Sequence, residues 1–221
     1  MPFSTSSPLP QAVLFDHDGT LVDTEPIWEK AKQRICAEHG TTWSSEDTKA
    51  VLGYSIQATL ERLQEVGVDR PLEEIEQLLI TYMHEYFADA EYDFLPGIRP
   101  LLDQLKQAGI PCAVVTNATT SVAERTAEKA PGVFATVIGD QQTTHSKPHP
   151  EPYLLGAQHL GVDPTQCVAI EDSPSGVRSA TDAGMKVIVV PGEVEVPADA
   201  GDAQVRHEDL SLEAILKAFN S

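Results

Sequence analysis

Five short apolar runs set the architecture of this chain: "AVLF", "CAVVT", "ATVIG", "CVAIE" and "KVIVV". Each is bounded by polar or turn-forming residues, and those after the first are separated by segments with helical patterning. Near-continuous apolar runs of this length read as strands buried on both faces, and parallel strands need a helical crossover to return to the same edge. The rhythm therefore predicts an α/β domain with a mostly parallel sheet. Two helix ends are marked as well. "QAGIP" supplies a glycine stop and then a proline before the second run, and Gly184 closes the helix before "KVIVV".

The stretch from Thr24 to Asp93 departs from that rhythm. It holds the helical patterns "EPIWEKAKQRICAEHG", "SIQATLERLQEVG" and "PLEEIEQLLITYMHEYF", no convincing strand, and 15 Asp and Glu against 6 Lys and Arg. The simplest arrangement is a helical cap over residues 23–94, inserted into an α/β core of residues 1–22 and 95–221. "LVDTE" and "AEYDFLPG" are then the two connections. Within the cap, Ser44 or Ser45 and Asp69 are candidate N-caps. Near the other end, "GEVEVPADAGDAQ" reads as a surface loop before a last helix, "SLEAILKAF".

With 221 residues, 41% of them hydrophobic, the chain can bury an ordinary core. Its net charge of −19 is spread along the length, which argues against an extended nucleic-acid surface or an anionic membrane patch. Any anion bound here must be attracted locally. No apolar run approaches the roughly 18 residues that span a bilayer, and "MPFSTSSPLPQ" lacks the pattern of a signal peptide. The expectation is a soluble cytoplasmic protein, a monomer or weak dimer. Cys36, Cys112 and Cys167 are an odd number at wide spacing and read as reduced thiols, the last two packed in the core.

Open α/β sheets place their sites outside the carboxyl ends of the strands, so the residues following each run are the ones to inspect. The first run ends in Asp16 and Asp18, the second in Thr116 and Asn117, and the fourth in Glu171 and Asp172. Lys147 lies in "HSKPHP" ahead of the fourth. Asp140, after the third, reads as site edge or turn. Acids from two strand ends, with a lysine and a hydroxyl from others, suit a hard divalent cation facing an anion. A cation lets crowded carboxylates stay ionised, and an ionised aspartate can attack phosphorus. A second carboxyl two residues on can move the proton, and lysine and threonine can hold the phosphoryl oxygens.

Singly, each piece has a plainer reading. An Asp-Gly pair is usually a turn, Thr116 and Asn117 suit a helix cap, and a lone lysine is usually a solvated one. His145 and His149 have metal-ligand spacing, but prolines exclude a regular helix there and surface loop is the favoured reading. Strand alternation points His17 away from the flanking aspartates, toward packing or solvent. Jointly the pieces are another matter. D-x-D-G-T alone should arise by chance in on the order of one in a thousand chains this long, before the later residues are required in order.

At "DHDGT", "VVTNA", "SKPHP" and "EDSPSG" the sequence resembles the four motifs of the haloacid dehalogenase superfamily, in their usual order and spread over nearly the whole chain. Its wording is most similar to the branch of sugar-phosphate phosphatases and β-phosphoglucomutase. The resemblance implies a Rossmann-like parallel-sheet core with an inserted α-helical cap, and Mg²⁺ dependence. It implies Asp16 as nucleophile and metal ligand, and Asp18 as general acid/base and carbonyl ligand. Thr116 and Lys147 would bind phosphate, with an amide contact from Asn117, and Asp172 would bind the metal, with Glu171 beside it as a further ligand or just behind the ligands.

Asp18 favours phosphate-ester chemistry within that superfamily. A β-phosphoglucomutase-type mutase carries a histidine and an arginine in its cap where this chain has Trp28 and Ile56, which argues for hydrolysis. The expected activity is a Mg²⁺-dependent phosphatase acting on a sugar or polyol phosphate, with the mutase as the alternative. "LGYSIQ" is the expected specificity loop, with Trp28, Tyr54 and Gln57 as substrate contacts. Trp28 and Ile56 could equally be cap core. A phospho-accepting receiver domain is a reading from another class. It is disfavoured because its acceptor and acid pair sit on different strands, and it is about half this length.

Overall fold

The computed structural model describes residues 8–51, 54, 56–89, 92–192 and 194–221. The apolar runs form strands β1 (Ala12–Phe15), β2 (Cys112–Val115), β3 (Phe134–Ile138), β4 (Cys167–Glu171) and β5 (Lys186–Val189). All pair in parallel, in the order β3-β2-β1-β4-β5, with a sixth strand β6 (Ala203–Gln204) on the β5 edge. That last strand lies inside the segment expected to be a plain surface loop. Two residues are too few to show a period, and only pairing with Ile188 and Val189 makes them a strand.

Helices α1 (Glu25–Glu38), α2 (Ser45–Val51), α3 (Ile56–Glu65) and α4 (Leu72–Asp89) fall between β1 and the next helix, α5 (Ile98–Ala108). The remaining helices are α6 (Thr120–Glu128), α7 (Glu151–Leu160), α8 (Pro174–Asp182) and α9 (Leu212–Phe219). Helix α5 ends at Gly109, whose φ of 70° is the left-handed closure expected there. Ser44 and Asp47 bond reciprocally across the start of α2, side chain to backbone N–H in both directions. Asp69 caps nothing, because α4 begins at Leu72, immediately after Pro71.

The pleat sorts the strand residues into two cores. Val13 and Phe15 of β1 pack with Val114, Ile170 and residues of α5 and α9 on one face. Ala12 and Leu14 pack with Val115, Ala169 and residues of α7 and α8 on the other. Helices α1 to α4 share a third cluster, including Ile35, Leu63, Leu79 and Phe87, which reaches α6 only at Val122. The chain leaves for these helices and returns from them side by side: Leu95 N–H donates to the Leu21 carbonyl at 2.8 Å, and Val22 and Phe94 form an antiparallel bridge. Cys36, Cys112 and Cys167 are buried free thiols. Among the described residues no helix is long and apolar enough to cross a membrane.

Candidate active site

The site grows out of the register of the sheet. β1 lies between β2 and β4, with Phe15 opposite Ile170, and the Asp16 N–H donates to the Ile170 carbonyl at 3.0 Å. Asp16, one residue beyond β1, therefore stands beside Glu171, the last residue of β4, and Asp172, the residue after it. Oxygens of these three carboxyl groups lie within 4.8 Å of one another. Lys147 reaches them from the connection between β3 and α7. Its Nζ donates to Asp16 Oδ1 at 2.6 Å, Glu171 Oε1 at 2.6 Å and the Val115 carbonyl at 2.8 Å, using all three of its donors. The Tyr153 hydroxyl donates to the same Glu171 oxygen at 2.6 Å.

This cluster is out of electrostatic balance. Fully ionised, three carboxylates against one ammonium would leave two negative charges in excess, the charge a divalent cation supplies. Burial lifts the Asp16 carboxyl to about 7; Lys147 pulls it down, while Glu171 and Asp18 push it up. Burial also lifts Asp172, to about 9, with the charges of Asp16 and Glu171 adding to it. Burial alone would lower the Lys147 ammonium, but Asp16 and Glu171 hold it above its ordinary value. One lysine shared by two buried acids neutralises only one of them. A hard cation fits the donor set and would relieve the repulsion.

Glycines make room for these acids. A Cβ on Gly19 would fall 2.1 Å from Asp172 Oδ2, and one on Gly176 would fall 1.9 Å from the Glu171 carboxyl. Any larger residue would displace the carboxylates from the cluster. Asp18 faces a different environment, partly exposed at the wall. It accepts from the Thr24 hydroxyl, pairs with His17 Nδ1 at 3.1 Å and meets the Trp28 indole N–H at 3.4 Å. Burial raises its pKa, but His17, Trp28 and Lys147 together hold it below the ordinary carboxylate value. Two carboxyls two residues apart are thus pushed in opposite directions, the usual mark of a divided acid/base task.

A haloacid dehalogenase-like hydrolase profile matches residues 13–190. The chain belongs to this family. Hexitol phosphatase A of Escherichia coli is 36% identical over 194 residues, covering 83% of this chain and 84% of that protein. Protein CbbY of Rhodobacter capsulatus is 30% identical over 216 residues, covering 92% and 95%. The crystal structure of CbbY from Rhodobacter sphaeroides in complex with phosphate superposes with a TM-score of 0.81 at 29% identity, covering 89% of this chain and 94% of that one.

In this hydrolase a cavity of about 440 Å³ opens above the strand ends. Asp16, Asp18, Thr116, Asn117, Lys147 and Asp172 all line it. Thr116 is buried, and its Oγ1 accepts from the Ala118 N–H at 3.0 Å in the turn ahead of α6, whose N-cap position is Thr119. The Asn117 side chain is turned to another task than the expected phosphate contact: its Oδ1 accepts from Lys147 N–H at 2.9 Å and its Nδ2 donates to the Lys147 carbonyl at 3.3 Å, clamping that loop. Glu171 is fully buried behind the cavity wall, with Lys147, Tyr153 and Ser173 occupying its oxygens, so it braces the lysine instead of facing the opening expected of a ligand.

From the helices, Trp28, Tyr54 and Ile56 line the cavity, Tyr54 being 71% exposed. Gln57 does not; its amide donates to Glu61 along the outside of α3. Leu52, Gly53 and Ser55 of "LGYSIQ" lie outside the described residues. His17 corrects the solvent-facing alternative: it is fully buried, bonded to Asp18 on one side and to Thr126 at 2.7 Å on the other. Asp140 belongs to the turn after β3 and not to the cavity. Lys32 is a lining residue that sequence reasoning missed, buried and paired with Glu25 at 2.9 Å. Its position one helical turn after Trp28 was the available signal.

Proposed function

We propose that this hydrolase is a Mg²⁺-dependent phosphatase that cleaves a small phosphorylated sugar or polyol through an aspartyl-phosphate intermediate. The observation that supports it most is the setting of Asp16, a carboxylate on the cavity floor aligned by Lys147 at 2.6 Å and crowded by acids that a cation would balance. Asp16 attacks phosphorus, the bond to the sugar oxygen breaks, and Asp18 gives that oxygen its proton. Asp18, then ionised, takes a proton from water as the water attacks phosphorus and frees Asp16. The low pKa of Asp18 suits this second step. A phosphate dianion in the cavity would raise it toward the protonated form that the first step needs.

Lys147 and the Thr116 hydroxyl are assigned to the phosphoryl oxygens, with Asn117 fixing the lysine's loop. The Asp16 and Asp172 carboxylates and the Asp18 carbonyl would hold Mg²⁺, which neutralises the charge accumulating on the phosphoryl group. Helices α1 to α4 are assigned as a cap over residues 23–94, joined to the core of residues 1–22 and 95–221 by the paired connections at Val22 and Phe94. The hexitol phosphatase relationship supports a polyol or sugar phosphate. Hydrolysis is favoured over a mutase: among the described residues Lys32 is the lone lysine or arginine that the helices bring to the cavity, and Glu25 already neutralises it.

The test is a phosphate-release screen with Mg²⁺ across hexose, pentose, polyol and carboxylate phosphates, with isomerisation of β-glucose 1-phosphate followed alongside. Release from a sugar or polyol phosphate, with a phosphoryl group trapped on Asp16, is the expected result. Isomerisation outrunning release would replace the phosphatase reading with the mutase one.

A further inference from the structure

Away from the cavity, the connection carrying Lys147 presents a second set of metal-ligating side chains. The His145 and His149 rings stack with centroids 4.5 Å apart and planes 28° apart. Glu151, at the first turn of α7, sits beside both: its Oε2 is 2.9 Å from His145 Nδ1 and 4.0 Å from His149 Nδ1. That carboxylate is already oriented, since the Thr144 N–H donates to Oε1 at 2.7 Å and the His145 N–H donates to Oε2 at 3.0 Å. Pro148 and Pro150 stiffen the intervening chain, and the His149 N–H closes a turn onto the Ser146 carbonyl at 3.0 Å. Ligand atoms from the three side chains lie within 4.8 Å of one another.

We propose that His145, His149 and Glu151 form a surface site for a borderline divalent transition metal such as Zn²⁺ or Ni²⁺, distinct from the Mg²⁺ position on the cavity floor. The chemistry separates the two ions: a pair of imidazoles with one carboxylate is a donor set for Zn²⁺ and Ni²⁺, whereas Mg²⁺ takes oxygen ligands. Bonds of about 2.0–2.2 Å in a tetrahedral site put neighbouring donor atoms roughly 3.4 Å apart, and the observed 2.9 and 4.0 Å bracket that spacing. Closing the site requires the two rings to turn out of their stack so that both aim a nitrogen at one point, a motion their exposure permits. His149 Nδ1 would exchange the hydrogen bond it accepts from the Glu151 N–H at 3.2 Å for the metal. Both rings are at least half exposed, so water completes the coordination and the ion has free access. Bound there, the metal ties the outer side of the Lys147 loop to α7, opposite the clamp that Asn117 makes from within.

Calorimetric titration of the untagged full chain with ZnCl₂, in saturating Mg²⁺ so that the acidic cluster is occupied, tests this by binding and not by turnover. One Zn²⁺ per chain is expected, with His145→Ala and His149→Ala each weakening it by about tenfold or more and Asp172→Asn leaving it in place. Thermal unfolding verifies that each variant is folded. No heat above the Mg²⁺ baseline, unchanged affinity in both histidine variants, or loss of the event in Asp172→Asn would overturn the site.

Discussion

The floor of the cavity and its helical wall are built on different principles. On the floor, side chains come from the ends of paired strands and from the connection that carries Lys147, and they are held several times over. Lys147 has three partners, and Glu171 is bonded to Lys147, Tyr153 and Ser173. On the wall, Trp28 meets the site through one long hydrogen bond and Tyr54 is 71% exposed. Charges that must be buried near one another require a rigid and fully satisfied frame. A surface that selects among leaving groups does not. The difference teaches where substitutions should act on chemistry and where they should act on choice of substrate.

The largest effect should come from Asp16→Asn, which replaces the carboxylate that the proposed mechanism uses as nucleophile. Turnover should fall by on the order of 10⁴-fold or more while thermal unfolding shows no loss of stability, because an acid raised by burial and its neighbours has been neutralised. Retained Mg²⁺-dependent release in that variant would break the assignment of the floor to catalysis. Lys147→Met should be the most destabilising floor variant. It strands Asp16 and Glu171 without a cation, costing about 3–5 kcal/mol in denaturant titrations without Mg²⁺. The Asp16 carboxyl, already raised to about 7 and now without the lysine that pulled it down, takes up a proton as pH falls, so the loss should be largest near pH 8 and shrink toward pH 5.

Gly176→Ala should cost about 1–3 kcal/mol through its clash with the Glu171 carboxyl, whereas Gln57→Ala on the outer face of α3 should be close to silent in both stability and activity. Trp28→Phe sharpens the comparison from the wall side. It keeps the ring but removes the indole N–H at Asp18, so KM should change between leaving groups by more than the fold stability does. The smallest effect concerns Asp140, half-buried in the turn after β3 with its Oδ1 unpartnered among the described residues. Burial raises its carboxyl to about 6, so the folded chain keeps a proton that the unfolded chain has already lost, and stability contributed there declines as pH rises from about 4 through 6. Asp140→Asn should therefore raise the melting temperature relative to the parent more at pH 7.5 than at pH 4.

Much of the frame was readable from residues alone. Strands buried on both faces must be almost wholly apolar, so β1, β2, β4 and β5 announced themselves, and parallel pairing sends all their carboxyl ends to one edge. β6 was not readable, since two residues carry no period. Of packing and solvent, His17 takes packing, but it bonds Asp18 instead of pointing away from it as alternation predicts, because the strand ends at Phe15 and the chain turns at once, with the Leu21 and Val22 N–H groups both returning to the His17 carbonyl. Asn117 and Glu171 were recognised as site residues, but their partners come from a connection 30 and 24 residues away, beyond any local pattern.

The sequence by itself determined the sheet, the order of the motifs and the identity of the acids, because periodicity and residue chemistry are local properties. Only the tertiary structure decided the division of labour among those acids. Which carboxylate faces the cavity, which one braces Lys147, and which is pulled below its ordinary pKa while its neighbours are pushed above theirs all depend on burial and on charges a few ångströms away, and those distances exist only once the strands are paired.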